Sequence, residues 1–255
     1  MNYFHAIILG IIEGVTEFLP ISSTGHLVVA GRLLNLPSGD FLRTFDIAIQ
    51  LGAILAVLTL YGASLLRSRK LLSRVIVAFI PTGVLGLTLY PFVKRLLAAP
   101  AVTLWSLGLG GVLLIVFERW YAEPADAHED LSTMPYRTAL LVGLSQSVAM
   151  IPGVSRAAAT ICGGLMLGMS RRAIIEFSFL LALPTMAAAT GLELISSASL
   201  FTQSQFGLLA VGFVVSWVVA VIAIRWLLRF VRTHDFTLFG VYRLIAAVAF
   251  WRLLF

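Results

Sequence analysis

The sequence predicts an all-α polytopic membrane protein, with six transmembrane helices and two re-entrant helical hairpins in an inverted repeat. The first observation is composition. The 255 residues are 60% hydrophobic and only 12% charged, and the mean hydropathy is +0.99. A water-soluble protein of this size needs far more polar surface. The second is that six apolar stretches reach the roughly 20 residues that a membrane-spanning helix needs. The third is that two shorter apolar stretches are each interrupted by a polar turn.

The first interrupted stretch predicts a helix over residues 3–19, the turn PISSTGH over residues 20–26, and a second helix over residues 27–36. That second helix would be about 15 Å long, or half a bilayer, at 1.5 Å per residue. The other interrupted stretch predicts helices over residues 136–151 and 157–169, around the turn PGVSR at residues 152–156. Polar turns at membrane depth are tolerated only where they are buried in protein or line a wet cavity, so we expect the two turns to meet.

The six full spans are predicted at residues 45–66, 72–93, 101–120, 174–195, 206–228 and 238–254. Each hairpin is therefore followed by three spans, which predicts a first repeat over residues 1–121, a polar linker over 122–135 and a second repeat over 136–255. A sequence echo supports this division, because GIIE at residues 10–13 corresponds to GLSQ at residues 143–146. An odd number of spans per repeat inverts the second copy, which predicts a site near the membrane midplane.

The charge pattern indicates orientation in a membrane. The formal net charge is +6 and the pI about 10.0, but the cations occupy short loops between apolar spans, which argues against nucleic-acid binding. Most of these cations fall on one predicted side, including Arg67, Lys70, Arg137, Arg171 and Arg229. That side should be cytoplasmic, which predicts that both termini lie on the outer side. The single cysteine, Cys162, excludes an internal disulfide and a thiolate metal cluster.

Two acidic residues mark the candidate site. Glu13 and Glu17 lie four residues apart in an apolar helix, so their carboxylates share one helix face. A carboxylate within the membrane costs at least a few kcal/mol, and such residues usually mark a substrate, ion or proton site. Hard oxygen ligands with no lysine nearby suit a divalent cation, Mg²⁺ or Ca²⁺.

The two polar turns indicate an anionic ligand. Ser22, Ser23, Thr24 and Gly25 open a short helix, where hydroxyls and free backbone N–H groups suit a phosphate. Simple N-capping would explain one hydroxyl but not three. Arg156, in the second turn, is a permanent cation that requires a glutamate or a phosphate as its partner; a purely structural ion pair is the alternative.

Other polar residues in the spans have two interpretations. Asp46 and Gln50 share a face of the first span, and Glu176 and Ser178 lie in the fourth. Either pair could line a cavity or lie at a helix interface.

These motifs resemble a known family. The stretch EGVTEFLPISSTGH at residues 13–26 resembles the first signature of the undecaprenyl-pyrophosphate phosphatases, the bacitracin-resistance proteins. PGVSR at residues 152–156, followed by Thr160, resembles the second signature, and the likeness covers essentially the whole chain. One departure is that this family usually has Ser-Gly after the arginine, where this chain has Ala157 and Ala158. A hydroxyl contact to the substrate is therefore expected to be missing.

The resemblance implies an enzyme of the bacterial inner membrane that removes the terminal phosphate of a C55 isoprenyl pyrophosphate and so regenerates the lipid carrier for peptidoglycan precursors. The expected partners are membrane lipid and a polyprenyl pyrophosphate. The expected roles are catalysis for Glu17, Ser23, His26 and Arg156, substrate binding for Ser22, Thr24, Gly25, Gly153, Ser155, Arg156 and Thr160, and metal binding for Glu13 and Glu17.

The order of chemical events stays open at this point. Ser23 is expected to attack the terminal phosphorus while His26 or Glu17 takes its proton. Water or His26 could instead be the nucleophile. A lipid-phosphate transporter is the rival function, because inverted repeats with broken helices are a common transporter design. An ion-conducting or structural protein would leave the clustered hydroxyls unexplained. Hydrolysis of the pyrophosphate separates the enzyme from the transporter.

Overall fold

A computed structural model of the chain describes residues 1–37, 39–97, 99–197 and 205–254. No strand is present in the described parts, which are almost entirely helical. The α-helices, in chain order, are α1 (Tyr3–Thr16), α2 (Ser23–Leu33), α3 (Asp40–Arg67), α4 (Arg69–Thr88), α5 (Tyr90–Leu97), α6 (Pro100–Trp120), α7 (Tyr136–Ser147), α8 (Arg156–Met166), α9 (Arg171–Ser197), α10 (Phe206–Phe230) and α11 (Thr237–Leu254).

Six of these helices are long and apolar enough to cross a membrane, which confirms the predicted all-α polytopic class. The crossing segments are Thr44–Arg67, Arg69–Thr88, Pro100–Trp120, Arg171–Leu192, Phe206–Phe230 and Thr237–Leu254. The end of the second span was predicted incorrectly. It ends at Thr88 rather than at residue 93, and the short exposed helix α5 follows. Pro91 explains the break, because a proline disfavours the helical conformation in the preceding residues.

Two helical pairs are interrupted where the sequence predicted hairpins. In the first, α1 ends at Thr16, three residues earlier than predicted, and α2 begins at Ser23. In the second, α7 is followed by a 3₁₀ turn, Val148–Met150, and α8 begins at Arg156. With 11 residues each, α2 and α8 are about 16 Å long and too short to cross a bilayer.

The helices pack in a reciprocal pattern across the two halves of the chain. Helix α1 lies against α10, and its counterpart α7 lies against α4. Helices α3 and α9 contact each other, as do α6 and α11. Corresponding helices of the two predicted repeats thus make corresponding contacts across the halves, which is the pattern that an inverted repeat predicts.

Close backbone approach holds α1 against α10. A Cβ on Gly14 would lie 2.7 Å from the Ser216 carbonyl oxygen and 2.8 Å from Cβ of Val219, distances that no real side chain tolerates. Glycine is therefore required one residue after Glu13. This contact fixes the position of the helix that carries Glu13 and leads into Glu17.

The segment between the halves is bound to the second hairpin. His128 N–H donates to the Gly168 carbonyl at 2.8 Å, and Ser170 N–H donates back to the His128 carbonyl at 2.9 Å. The guanidinium of Arg171 contacts both carboxylate oxygens of Glu118. These contacts join the end of α6, the linker and the start of α9 at one end of the helix bundle.

Candidate active site

The two turns share an uncommon backbone conformation. Ser22 has φ 69° and ψ 96°, and Ser155 has φ 73° and ψ 114°. Each residue directly precedes its hairpin's second helix. A non-glycine residue at positive φ costs about 1–3 kcal/mol and is common at ligand-binding sites. The conformation places the first residues of α2 and α8, Ser23 and Arg156, at one cavity.

The cavity has a volume of about 240 Å³ and lies between the two turns and helices α3 and α9. Its lining residues are Glu17, Ser22, Ser23, Thr24, Gln50, Ala149, Pro152, Gly153, Ser155, Arg156, Met186 and Ala189. The expectation that the two polar turns meet is therefore confirmed. Among the predicted site residues, the structure brings Glu17, Ser22, Ser23, Thr24, Gly153, Ser155 and Arg156 to its wall.

Glu17 is the central polar residue of the cavity. Its Oε2 accepts a hydrogen bond from the Ser23 hydroxyl at 2.7 Å. Its Oε1 lies 3.3 Å from Nη2 and 3.4 Å from Nε of Arg156. One carboxylate thus contacts a hydroxyl from the first turn and a guanidinium from the second. This geometry suits a base that takes the serine proton while the arginine balances its charge.

Arg156 has a second, shorter contact. Its Nη1 donates to the Ser178 carbonyl oxygen at 2.9 Å, and its Cζ lies 5.7 Å from the centre of the Phe18 ring. The contacts with Glu17 are longer than the usual 2.7–2.9 Å of a charge-assisted hydrogen bond. A bound anion could therefore engage Nε and Nη2 while Nη1 stays on the Ser178 carbonyl.

Glu13 lies one helical turn before Glu17 and does not line this cavity. It is fully buried, and neither carboxylate oxygen has a hydrogen-bond partner among the described residues. The nearby carboxylates of Glu17 and Asp46 repel its charge, and the guanidinium of Arg156 attracts it without forming a hydrogen bond to it. An unpartnered buried carboxylate costs free energy and needs a cation or a proton.

The carboxylate oxygens of this region fit a divalent cation in part. Glu13 has two free oxygens that suit a hard cation, and Glu17 lies one helical turn away. Within the described residues, no three acidic, histidine or cysteine side chains are grouped closely enough to hold a metal by themselves. Glu13 and Glu17 therefore fit a divalent cation whose other ligands are oxygens of a bound phosphate.

Besides Glu13, three predicted site residues do not line the cavity, namely Gly25, Thr160 and His26. Gly25 packs against Thr103 and Leu107 of α6. The Thr160 hydroxyl is buried and donates to the Arg156 carbonyl at 2.8 Å. Thr160 therefore stabilises the first turn of α8 from behind.

His26 is turned away from Ser23. Its Nδ1 lies 2.8 Å from the Ser22 carbonyl oxygen, and its Nε2 lies 2.7 Å from the Tyr242 hydroxyl. Because a carbonyl only accepts, Nδ1 carries the proton and Nε2 accepts from the tyrosine. The ring also stacks on Tyr242, with centroids 5.6 Å apart and an interplanar angle of 3°. Both nitrogens are engaged, which favours Glu17 over His26 as the base for Ser23.

Several lining residues were not assigned to the site from the sequence. Gln50 had two open interpretations, and the structure places it at the cavity wall. The feature of the sequence that could have identified Gln50 is a polar side chain within an apolar span. Met186, Ala189 and Ala149 gave no signal, because apolar residues are common throughout the spans. Ala157, where a hydroxyl contact to the substrate was expected to be missing, is fully buried and does not line the cavity.

The two hairpins differ in chemistry where Glu13 and Gln146 correspond. The Gln146 amide donates to the hydroxyls of Thr82 and Thr185, each at 3.0 Å, and its oxygen lies 3.4 Å from the Thr160 hydroxyl, whose proton is shared with the closer Arg156 carbonyl. Its polar atoms are satisfied, whereas those of Glu13 are not. The unpartnered acid therefore belongs to the first hairpin, and the second contributes the cation Arg156.

Comparison with known proteins gives consistent matches over the length of the chain. A family model described as "Bacitracin resistance protein BacA" matches residues 6–249. A protein named undecaprenyl-diphosphatase from Aquifex aeolicus is 44% identical over 251 residues, 98% of both chains. Proteins of the same name from Wolinella succinogenes and Thermus thermophilus are each 46% identical over 98% of this chain and 97% of their own length.

Proposed function

The chain belongs to the bacitracin resistance protein BacA family, and from this premise we propose that it is an undecaprenyl-diphosphatase. The reaction is hydrolysis of undecaprenyl pyrophosphate to undecaprenyl phosphate and inorganic phosphate, which recycles the lipid carrier of cell-wall synthesis. The relatives named above carry this activity in their names, and the match covers nearly all of each chain. The names favour the enzyme over a transporter built on the same repeat.

The observation that carries the proposal is the shared contact of Glu17 with Ser23 and Arg156. A pyrophosphate bears negative charge that increases on the leaving oxygen as the bond breaks. Arg156 and the N-terminal ends of α2 and α8 provide positive charge and donors there. Ser22, Thr24, Gly153 and Ser155 complete the wall around the head group.

The first chemical step is attack by Ser23. As its oxygen bonds to the terminal phosphorus, the hydroxyl proton passes to Oε2 of Glu17, 2.7 Å away. The bond between that phosphorus and the bridging oxygen breaks, and the electron pair leaves on undecaprenyl phosphate. The 2.7 Å contact supports Ser23 as the nucleophile over His26, whose ring nitrogens have other partners.

The second step releases phosphate. A water molecule attacks the phosphoserine phosphorus, the bond to the Ser23 oxygen breaks, and the proton that the water loses leaves with the released phosphate. The serine oxygen recovers the proton that Glu17 held. Arg156 keeps its 2.9 Å bond to the Ser178 carbonyl and so remains aimed at the phosphate throughout.

A divalent cation fits the same site. We propose that Glu13 and Glu17 hold Mg²⁺ or Ca²⁺, which would neutralise phosphate charge when bound. The buried and unpartnered Glu13 oxygens support this proposal. The lipid tail of the substrate would remain among the membrane-spanning helices.

We also propose that the protein lies in the bacterial inner membrane with both termini on the outer side. The six membrane-crossing helices and the family support a multi-pass membrane protein. The cation-rich loops support the orientation.

The deciding experiment is phosphate release by the purified protein in detergent. Undecaprenyl pyrophosphate and a short isoprenyl pyrophosphate are supplied, each with Mg²⁺, with Ca²⁺ and with excess chelator. We expect release that depends on a divalent cation. No release under any of these conditions, with transport of a lipid phosphate in vesicles, would establish the transporter instead.

A further inference from the structure

Arg243 lies in the middle of α11 and is fully buried, although it carries a permanent charge. All five of its N–H groups donate to backbone carbonyl oxygens. Nε donates to Leu107 at 3.1 Å, Nη1 to Pro20 at 3.2 Å and to Val154 at 3.0 Å, and Nη2 to Ser106 at 3.3 Å and to Gly153 at 2.9 Å.

The five carbonyls come from three separate segments. Two belong to α6, one to the first polar turn and two to the second. The Nη1 atom bridges the turns, because it donates to Pro20 on one side and to Val154 on the other. Ser23 follows Pro20 by three residues, and Arg156 follows Val154 by two. The backbones that carry the two reacting groups are therefore both bound to one nitrogen atom.

The charge of Arg243 is balanced by these dipoles. Among the described residues, no carboxylate forms an ion pair with it. A buried guanidinium with no acid is costly, and an apolar side chain could fill its place with less penalty. The carbonyls of an irregular turn at membrane depth, however, need donors, and the planar fork of arginine can supply five in fixed directions.

We infer that Arg243 is a positioning residue for the reaction at Ser23 and Arg156. It does not line the cavity, so it acts through the two turns and not on the substrate. By holding both turns with one guanidinium, it fixes the separation between the serine oxygen and the Arg156 fork. This inference rests on the proposed function.

A substitution at Gly110 can disturb the hydrogen bonds between Arg243 and the two turns without removing the arginine. A Cβ on Gly110 would overlap with Nη2 of Arg243. Because this atom is the far end of a flexible side chain, Gly110→Ala should fold but displace the guanidinium from the turns. Gly108→Ala is the matched control on the same helix, since its Cβ would lie 3.4 Å from Cβ of Ala247, an ordinary contact.

The test measures kcat and KM separately for Arg243→Lys, Arg243→Gln, Gly110→Ala and Gly108→Ala, with thermal unfolding of each protein. We expect kcat to fall at least about tenfold in Arg243→Gln and Gly110→Ala, with KM changed less than about threefold, because misalignment affects the transition state more than binding. Arg243→Lys keeps the charge but has three donors, so it should recover part of kcat. Gly108→Ala should match the parent.

Three outcomes overturn the inference. The first is an unchanged kcat in the folded Arg243 and Gly110 variants. The second is a rise in KM with kcat intact. The third is failure of all three variants to fold, which would make Arg243 a folding determinant. An inactive parent protein would instead contradict the proposed function, so the two failures are distinguishable.

Discussion

At the scale of single residues, the arrangement depends on Glu17 serving two partners at once. One oxygen accepts from Ser23 and the other faces Arg156. A carboxylate with only one of these contacts could be a structural ion pair. With both, it links a nucleophile from the first turn to an anion-binding group from the second. The role of each residue can then be tested by removing one group at a time.

Ser23→Ala removes the proposed nucleophile. We expect kcat to fall at least about a hundredfold, because the covalent route and the proton transfer to Glu17 are both lost. KM should change little, since Arg156 and the helix N-termini still bind the head group. The rate of phosphate release at a series of substrate concentrations gives kcat and KM. Ser145→Ala is the control, because its hydroxyl bonds within α7 to the Leu141 carbonyl. Retention of more than about a tenth of kcat would favour water or His26 as the nucleophile.

Glu13→Gln tests whether the Glu13 carboxylate helps to bind a divalent cation. The amide keeps the shape of the side chain and removes its charge, so the cation concentration for half-maximal activity, read from phosphate release, should rise at least about tenfold. Glu17→Gln should in addition lower kcat at saturating cation, because it removes the proposed base. Glu176→Gln is the control, since that carboxylate pairs with Arg172 away from the cavity. Full activity of the parent in excess chelator would refute the metal role.

Arg156→Lys tests whether the planar guanidinium of Arg156 is needed to bind the phosphate. Lysine keeps the charge but cannot hold the Ser178 carbonyl and a phosphate in the same plane. One charge-assisted hydrogen bond is worth about 1.5–3 kcal/mol, so kcat/KM for phosphate release should fall at least about tenfold, through both turnover and binding. Arg172→Lys, at an exposed arginine, is the control. Equal loss in the two variants would show that the effect is not specific to the site.

At the scale of helices, the position of α1 is set by contact with α10. Glu13 lies on α1, and Glu17 is the first residue after the end of that helix. The backbones of α1 and α10 approach so closely at Gly14 that no space is left for a side chain there. The polar residues of the site therefore depend on an apolar interface outside it. In a tightly packed interior, this interface transmits small changes to the carboxylates.

Gly14→Ala should push α1 away from α10. We expect a loss of about 1–3 kcal/mol in the free energy of unfolding, as is typical of overpacking, together with reduced kcat. Thermal unfolding in detergent and phosphate release measure the two effects. Gly191→Ala in α9 is the control, because a Cβ added there would have no atom within 4 Å. That change should be neutral or stabilise by up to about 1 kcal/mol. Unchanged stability in Gly14→Ala would contradict the close packing.

At the scale of the whole molecule, the loop charges and the three spans in each predicted repeat determine the orientation that we expect in the membrane. The hairpins enter from opposite faces if the repeat is inverted. The segment before α3 then lies outside and the segment between the halves lies in the cytoplasm. This follows from the cation count and the number of spans.

Single cysteines in a Cys162→Ala background test this topology. Gly39 is exposed and has extended backbone, and a Cβ added there would have no atom within 4 Å, so cysteine is tolerated. Asp126 is exposed in the linker. A membrane-impermeant maleimide should label Gly39→Cys in intact cells and Asp126→Cys only after permeabilisation. Labelling of both from one side would refute the inverted arrangement.

The sequence determined the membrane class, the six spans and the residues of the two turns. Apolar length fixes where a helix can cross a bilayer, and a polar break within such a stretch is visible without coordinates. Glu17, Ser23 and Arg156 were identifiable because polar groups at membrane depth are rare. Local chain chemistry was enough for these conclusions, except where Pro91 ended a span early.

Only the tertiary structure decided which of these groups meet. Glu17 contacts Ser23, His26 turns toward Tyr242, and Thr160 lies behind the turn. The sequence did not point to Arg243, whose five carbonyl partners come from three distant segments. Side-chain direction and the partners of backbone carbonyls depend on how helices from the two halves pack. That packing is a long-range property, so no local pattern encodes it.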